Sequence, residues 1–348
     1  MRVMNHQSSV LGGLLAGVLV TVPLTSWCCA TCGCTLQTDA AMGQSNAPGF
    51  SVGLQYDYIN QNQLRHGSSS IDPTAVAGIP DQEVEHQTIN HYTTLTLDYA
   101  PNEDWRFRLA LPWISRDHTT YSANPTLPLS PDQLSRAQFS ALGDVRLIAQ
   151  YQGLLLTRRL ALQWGVKLPT GRFGGPDASG TGVVGRNPVL FADGGNAGGE
   201  LLDTSLQPGT GSTDALLGLS YTQPLNEAFD VFGSAQFQAA LWHRLDQSGA
   251  GYRPGNQVNL SVGARYEANL RFVPQIQLNL SHKAADQGAL ADTDNTRGTV
   301  LYLSPGVSVA LAKQLQIYGF IQVPVASQLS GYQLAPRWTA TVGAGYSF

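Results

Sequence analysis

From Trp338 to Phe348 the chain alternates: Trp338, Ala340, Val342, Ala344, Tyr346 and Phe348 take one set of positions, and Arg337, Thr339, Thr341, Gly343, Gly345 and Ser347 the other. Successive side chains of a strand point to opposite faces, so this stretch has an aromatic, apolar face and a small, polar one. Earlier segments repeat the pattern. Phe50, Val52, Leu54, Tyr56 and Tyr58 alternate with Ser51, Gly53, Gln55 and Asp57, and Trp105, Phe107, Leu109, Leu111 and Trp113 with Arg106, Arg108 and Ala110. Leu160, Leu162, Trp164, Val166 and Leu168 oppose Gln163, Gly165 and Lys167; Val258, Leu260, Val262 and Tyr266 oppose Gln257, Asn259, Ser261 and Arg265. Twelve such segments can be read along the chain, the first at Phe50–Tyr58 and the second near Thr93–Tyr99.

A membrane barrel requires this pattern, because lipid-facing residues occupy every second position of each strand. Charged residues make up only 13% of the chain, against the usual figure of about 25%. Beyond the N-terminus no run approaches the roughly 18 apolar residues of a membrane helix. The connections also sort by length, long after odd segments and short after even ones, with tight turns at Pro101-Asn102-Glu103-Asp104 and Pro224-Leu225-Asn226-Glu227. Pro169–Gly211 is the longest expected loop, Ser115–Ala141 and the polar stretch after Tyr58 are long as well, and a moderate loop precedes the closing strand. A soluble sandwich has no reason to sort its loops by side. The expected fold is all-β: a transmembrane antiparallel up-and-down β-barrel of about 12 strands over residues 49–348, with long extracellular loops and short periplasmic turns. Its apolar face would meet the lipid of a Gram-negative outer membrane, and the terminal Phe348 suits the closing strand of such a barrel.

The polar face collects Arg106, Arg108, Asp144, Arg146, Lys167, Asp214, Asp230, Arg265 and Arg337. Nine charges in a dry interior would be costly, so these side chains are expected to face a wet or mutually paired lumen and are the candidate pore residues. Tyr56, Tyr58, Trp105, Trp113 and Tyr346 suit interfacial girdles. Pro112, Pro274 and Pro305 are expected at bulges or strand ends.

The stretches Leu142-Gly-Asp-Val-Arg-Leu147, Lys167-Leu-Pro-Thr-Gly-Arg-Phe173, Pro208-Gly-Thr-Gly-Ser-Thr-Asp-Ala-Leu-Leu-Gly218, Leu303-Ser-Pro-Gly-Val307 and Gln322-Val-Pro-Val325 resemble the outer-membrane transporters grouped with the phenol-degradation (MetA-pathway) family. The resemblance runs from about residue 50 to 348. It implies a β-barrel passing small, hydrophobic or aromatic molecules, and its short motifs specify architecture better than substrate.

At the N-terminus Arg2, the apolar run Val10–Leu24 and Cys28-Cys29-Ala30 match a secretory signal peptide, expected over residues 1–30 with a leader over 31–48. All four cysteines fall between 28 and 34, and cleavage after Ala30 would leave Cys32 and Cys34. Paired thiolates suit a soft metal such as copper or zinc, or a redox partner in the periplasm. The competing reading is a leader spent at the cleavage site. Two thiolates under-fill a zinc site, so another ligand would be needed.

Three further clusters carry chemistry-bearing residues. Glu83, Glu85, His86 and His91 could hold a divalent cation, against a solvated loop. Gly180, Gly182 and Gly185 match a dinucleotide fingerprint by letter, but Pro188 follows and no strand–helix context surrounds them; they better suit a long loop folding back over or into the pore. Ser281-His282, the one adjacent Ser–His pair, would point to opposite faces of a strand, so no enzyme is expected. A net charge of −4 gives no argument for nucleic acid. The reading that follows is an outer-membrane channel or transporter for small solutes. Its alternative is a barrel whose Cys32–Cys34 leader engages a periplasmic metal or redox partner, and a plugged structural barrel is a third.

Overall fold

The computed structural model describes residues 47–177, 179, 182–243 and 251–348. In chain order its strands are β1 (Gly49–Gly67), β2 (Ser69–Ser70), β3 (Glu83–Ala100), β4 (Trp105–Ala123), β5 (Ser135–Leu142), β6 (Val145–Tyr151), β7 (Leu160–Leu168), β8 (Phe173–Pro176), β9 (Val183–Arg186), β10 (Ser212–Pro224), β11 (Phe229–His243), β12 (Gln257–Tyr266), β13 (Phe272–Lys283), β14 (Gly298–Ala310) and β15 (Leu315–Ser347). The α-helix described, α1 (Pro73–Val76), is a single turn. Eleven strands pair in the order β1-β3-β4-β6-β7-β10-β11-β12-β13-β14-β15, and β15 returns to β1 to close the sheet. β2 and β5 attach to β1 and β4 outside this ring, and β8 and β9 form a separate hairpin.

Every ladder of the ring is antiparallel, and an odd number of such neighbours cannot close, since direction must reverse at each step. β15 resolves the parity. Its 33 residues double back: residues up to Leu329 pair with β14, and residues from Leu329 onward pair with β1. The two halves lie side by side, with Gln322 Nε2 donating to Thr339 Oγ1 at 3.1 Å. Gly331 sits at the reversal with φ +56°, a conformation that glycine adopts readily. The eleven elements therefore make twelve passes, and the moderate loop expected before the closing strand is a tight reversal. Thr341 Oγ1 donates to Asp57 Oδ1 at 2.6 Å, and Tyr318 Oη to Gln55 Oε1 at 2.9 Å, inside the seam.

Three of the short turns at one end are built by asparagines. Asn102 Oδ1 accepts from the amides of Asp104 and Trp105 at 3.0 Å, Asn226 Oδ1 from Ala228 and Phe229 at 2.9 and 3.0 Å, and Asn269 Oδ1 from Arg271 at 3.0 Å. These contacts fix each reversal locally, in the manner of Asx-turns.

The faces are the reverse of a soluble barrel's. Phe50, Trp113 and Val262 point outward and are 61%, 50% and 58% exposed, whereas inward Gln277, Ser304 and Thr341 are 1%, 0% and 1% exposed. Leaving such apolar area in water costs about 25 cal/mol per Å²; against lipid that cost disappears. Trp105 to Trp113 is nine residues, within the roughly 9–11 of a membrane strand. Aromatic rings crowd the short-turn edge of the band: Phe50 on Tyr99 at 4.7 Å, Trp105 on Tyr151 at 4.9 Å and Phe229 on Tyr266 at 4.9 Å. Tyr58 meets Trp338 at 5.7 Å on the opposite edge.

The strands reach farther than alternation predicts. β1 continues past Tyr58, β3 begins before Thr93, and the expected loop Ser115–Ala141 holds the rest of β4 and all of β5. Beyond the band the outward residues of β4 are Ser115, Asp117 and Thr119, while inward Ile114 is buried. The polar–apolar contrast that marks a membrane strand is lost there. Strands also run through the prolines: Pro274 pairs with Val307 and Pro305 with Ile276. Pro112 lies where the ladder of β4 passes from β6 to β5. The expected signal peptide and the Cys32–Cys34 leader lie outside the described residues.

Candidate functional site

The lumen has a packed side and a more open one. From β12 to the closing half of β15, Ser261, Gln275, Asn279, Ser304, Gln322 and Thr339 are all buried. Across from them Thr94, Thr96, Arg106, Arg108, Arg146 and Gln163 are only partly buried. Arg108 grips Asp98 with two bonds of 2.6 and 3.1 Å. Arg265 meets Asp230 at 3.0 Å and Glu267 at 3.3 Å near the short-turn end. Arg106 lines a small hollow there with Asp98, Gly49 and Ser347. Arg337 stands apart. It lies at a bulge between the pairs Ile59↔Thr339 and Gln61↔Pro336, and it is exposed.

Lys167, Asp144 and Asp214 meet in one buried knot. Lys167 Nζ lies 3.1 Å from Asp144 Oδ2 and 3.0 Å from Asp214 Oδ2, with these side chains 3%, 6% and 2% exposed. Strand register causes the meeting, since Lys167 pairs with Arg146 on β6 and with Asp214 on β10. Asp144 also accepts from the amides of Gly171 and Thr210 at 3.1 and 3.0 Å. Ser212 Oγ and Gln238 Nε2 donate to Asp214 at 2.6 and 2.5 Å. Asp144 sits in the gap between β5 and β6, where Thr170 mends the broken ladder: its Oγ1 accepts from Val145 N at 2.9 Å and donates to Gly143 O at 2.8 Å. Gly171 packs so closely on Gly209 that a Cβ there would stand 2.8 Å from its Cα. Three of the short motifs, 142–147, 167–173 and 208–218, thus converge on one structural knot.

Above the knot the long segment between β7 and β10 folds into the barrel mouth. Val189, Phe191, Leu202 and Leu206 pack on the inward-facing Ile59, Tyr92, Ile114 and Phe139. Arg116 fastens this plug. Its guanidinium donates to the carbonyl of Leu206, to Asn90 Oδ1 at 2.6 Å and to Tyr92 Oη at 2.8 Å. Gln207 ties the neck of the plug, accepting from Val189 N at 2.7 Å and donating to Leu202 O at 2.7 Å. Gly182 and Gly185 lie at the β9 hairpin on the way to the plug, where the chain makes one 3-10 turn at Thr204–Leu206 and no α-helix is described. The sequence missed the apolar residues of the plug's seat because alternation no longer marks them.

Glu83, Glu85, His86 and His91 do not assemble. His91 Nδ1 lies 2.7 Å from Tyr56 Oη, and His86 Nδ1 lies 3.0 Å from Thr119 Oγ1, both in exposed contacts. Glu83 and Glu85 turn the other way, toward Asp203 of the plug and Asp292 of the β13–β14 loop, with Glu83 hydrogen-bonded to Asp203 and Thr120. Glu85 Oε2 also accepts from Leu334 N at 3.2 Å. This cluster stands beyond the apolar band. Burial, followed by the neighbouring carboxylates, pushes Glu83 up to about 7 and Glu85 up to about 8, and raises Asp203 well above the usual range.

The folded state therefore binds more protons than the unfolded chain between pH 4.5 and about 8. The cluster's support for the plug is complete below that window and is lost as pH rises through 7 to 8. Proteinase K cleavage between Leu202 and Leu206 is expected to accelerate across that rise, and less so in Glu85→Gln. A flat rate in the parent protein would contradict the assignment.

No protein-family model matches the sequence, and no curated protein matches it. Among solved structures, an outer membrane channel from Pseudomonas putida F1 superposes with a TM-score of 0.58 at 12% identity, over 87% of this chain and 96% of that one. The transport unit of the autotransporter AIDA-I from Escherichia coli gives 0.46 at 10% identity over 89% and 95%, and the Pseudomonas putida toluene transporter TodX gives 0.41 at 11% over 93% and 97%. The chain has the fold of an outer-membrane β-barrel.

Proposed function

We propose that the chain is an outer-membrane channel that admits small solutes, hydrophobic or aromatic ones among them. The observation that carries this reading is the partly exposed polar arc of Thr94, Thr96, Arg106, Arg108, Arg146 and Gln163 inside a closed, lipid-facing wall. Short turns face the periplasm and the plugged mouth faces outward, as in barrels whose long loops are extracellular. The solute path follows the arc past the knot, with the plug as its outer door. The Pseudomonas putida protein of like fold is described as an outer membrane channel, which supports the reading.

Purified protein in a planar bilayer is expected to conduct. Arg146 lies on the arc within electrostatic reach of Asp144 and Asp214. Exchanging it for Gln should shift the reversal potential toward cations. A bilayer that stays silent would leave the plugged, structural barrel instead.

A further inference from the structure

On the packed side of the lumen, polar side chains find one another. Ser261 Oγ donates to Asn279 Oδ1 at 2.6 Å, and Asn279 Nδ2 to Ser304 Oγ at 2.7 Å. One and two steps below Asn279 on the same face of β13 this stops. Gln277 and Gln275 are 1% and 6% exposed, and neither the amide nitrogen nor the oxygen of either has a hydrogen-bond partner among the described residues. Buried amides are almost always paired, so four unpartnered atoms on one strand face mark a place that something else is built to complete.

Two buried rings flank them on the lumen face. Across the sheet one row reads Phe232, Gly263, Gln277, Ser304, and the next reads Asp230, Arg265, Gln275, Gly306, Phe320. Phe232 leans over Gly263 and Phe320 over Gly306, so closely that any side chain at either glycine would collide with the ring. The two phenyl rings are buried and pack together from opposite sides of β13, with Tyr318 against them. The cation of these rows, Arg265, is matched by Asp230 and Glu267.

We infer that Gln275 and Gln277 form a solute-binding station in the lumen, with Phe232 and Phe320 as its movable cover. Its ligand is a small neutral molecule carrying a hydrogen-bond donor and acceptor on a flat apolar body. The donor and acceptor answer the two amides, and the flat body takes the place of the ring–ring contact. Charge is disfavoured because Arg265, the cation in these rows, already has Asp230 and Glu267 as counter-ions. The station deepens the channel reading, but binding can be measured without conduction.

The test is calorimetric titration of benzamide into the full protein in detergent, with the detergent-only heat subtracted and with toluene and benzoate as comparators. Saturable benzamide binding is expected. Gln275→Leu and Gln277→Leu should each weaken it about tenfold or more, the penalty for losing a matched polar contact, while leaving toluene unaffected. Both variants remove an unpaired buried amide, so they should fold at least as well as the parent. Equal benzamide affinity in parent and variants, or no saturable binding in the parent, would overturn the station and leave water as the partner of the amides. A parent that binds benzamide yet passes no current keeps the station and rejects the channel; current with variant-insensitive binding does the opposite.

Discussion

Exchanging Lys167 for Met is expected to destabilise the barrel by ~3–5 kcal/mol, the usual cost of removing one member of a buried ion pair. Asp144 and Asp214 would be left facing each other with side chains 6% and 2% exposed. Their remaining donors, the amides of Gly171 and Thr210 and the side chains of Ser212 and Gln238, soften the loss, and Arg146 leaves one positive charge against the two carboxylates. Urea unfolding of the protein in lipid vesicles, followed by tryptophan fluorescence, would read the effect. Adding Asp214→Asn should recover most of it, because Asp144 then remains as the single partner of Arg146 and the charges balance again. A single Lys167→Met variant as stable as the parent would mean that water reaches the knot.

The second large effect concerns the mouth. Leu202 and Leu206 are each 1% exposed in the plug, and exchanging both for Asp places two carboxylates in an apolar seat, which costs several kcal/mol each unless the loop leaves. The loop is expected to leave, since none of the ring's ladders includes it. Single-channel current should rise severalfold, and proteinase K should then cut near residue 202 at a pH where the parent resists. The urea midpoint of the barrel should hardly move. A loop that is cut readily while the current stays the same would show that solutes do not pass through this mouth.

The membrane-spanning half was legible in the sequence because lipid and a polar lumen impose opposite demands on neighbouring residues. Trp105, Phe107 and Leu109 could be separated from Arg106 and Arg108 by parity alone. Parity said nothing about partners, so Lys167, Asp144 and Asp214 could be assigned a common face but not a common knot. Their meeting depends on the register of β6, β7 and β10, which the loop lengths leave free. Farther out, β4 has polar residues outside and Ile114 inside, like any soluble strand, and the reading faded there into loop. Gln275 and Gln277 were overlooked for a different reason. They carry no charge, and only their lack of partners distinguishes them from the other amides of the lumen.

The wall is also of unequal height. β1 and β4 run 19 residues and β7 only nine, and at about 3.3 Å per residue the difference amounts to roughly 30 Å along the strand. The plug leans on the tall side, against Ile59, Ile114 and Phe139. Such a rim is uneven, with β7 and β12 among its short strands. The plug is therefore braced from one flank, by β1, β4 and β5, and is not gripped evenly around the rim.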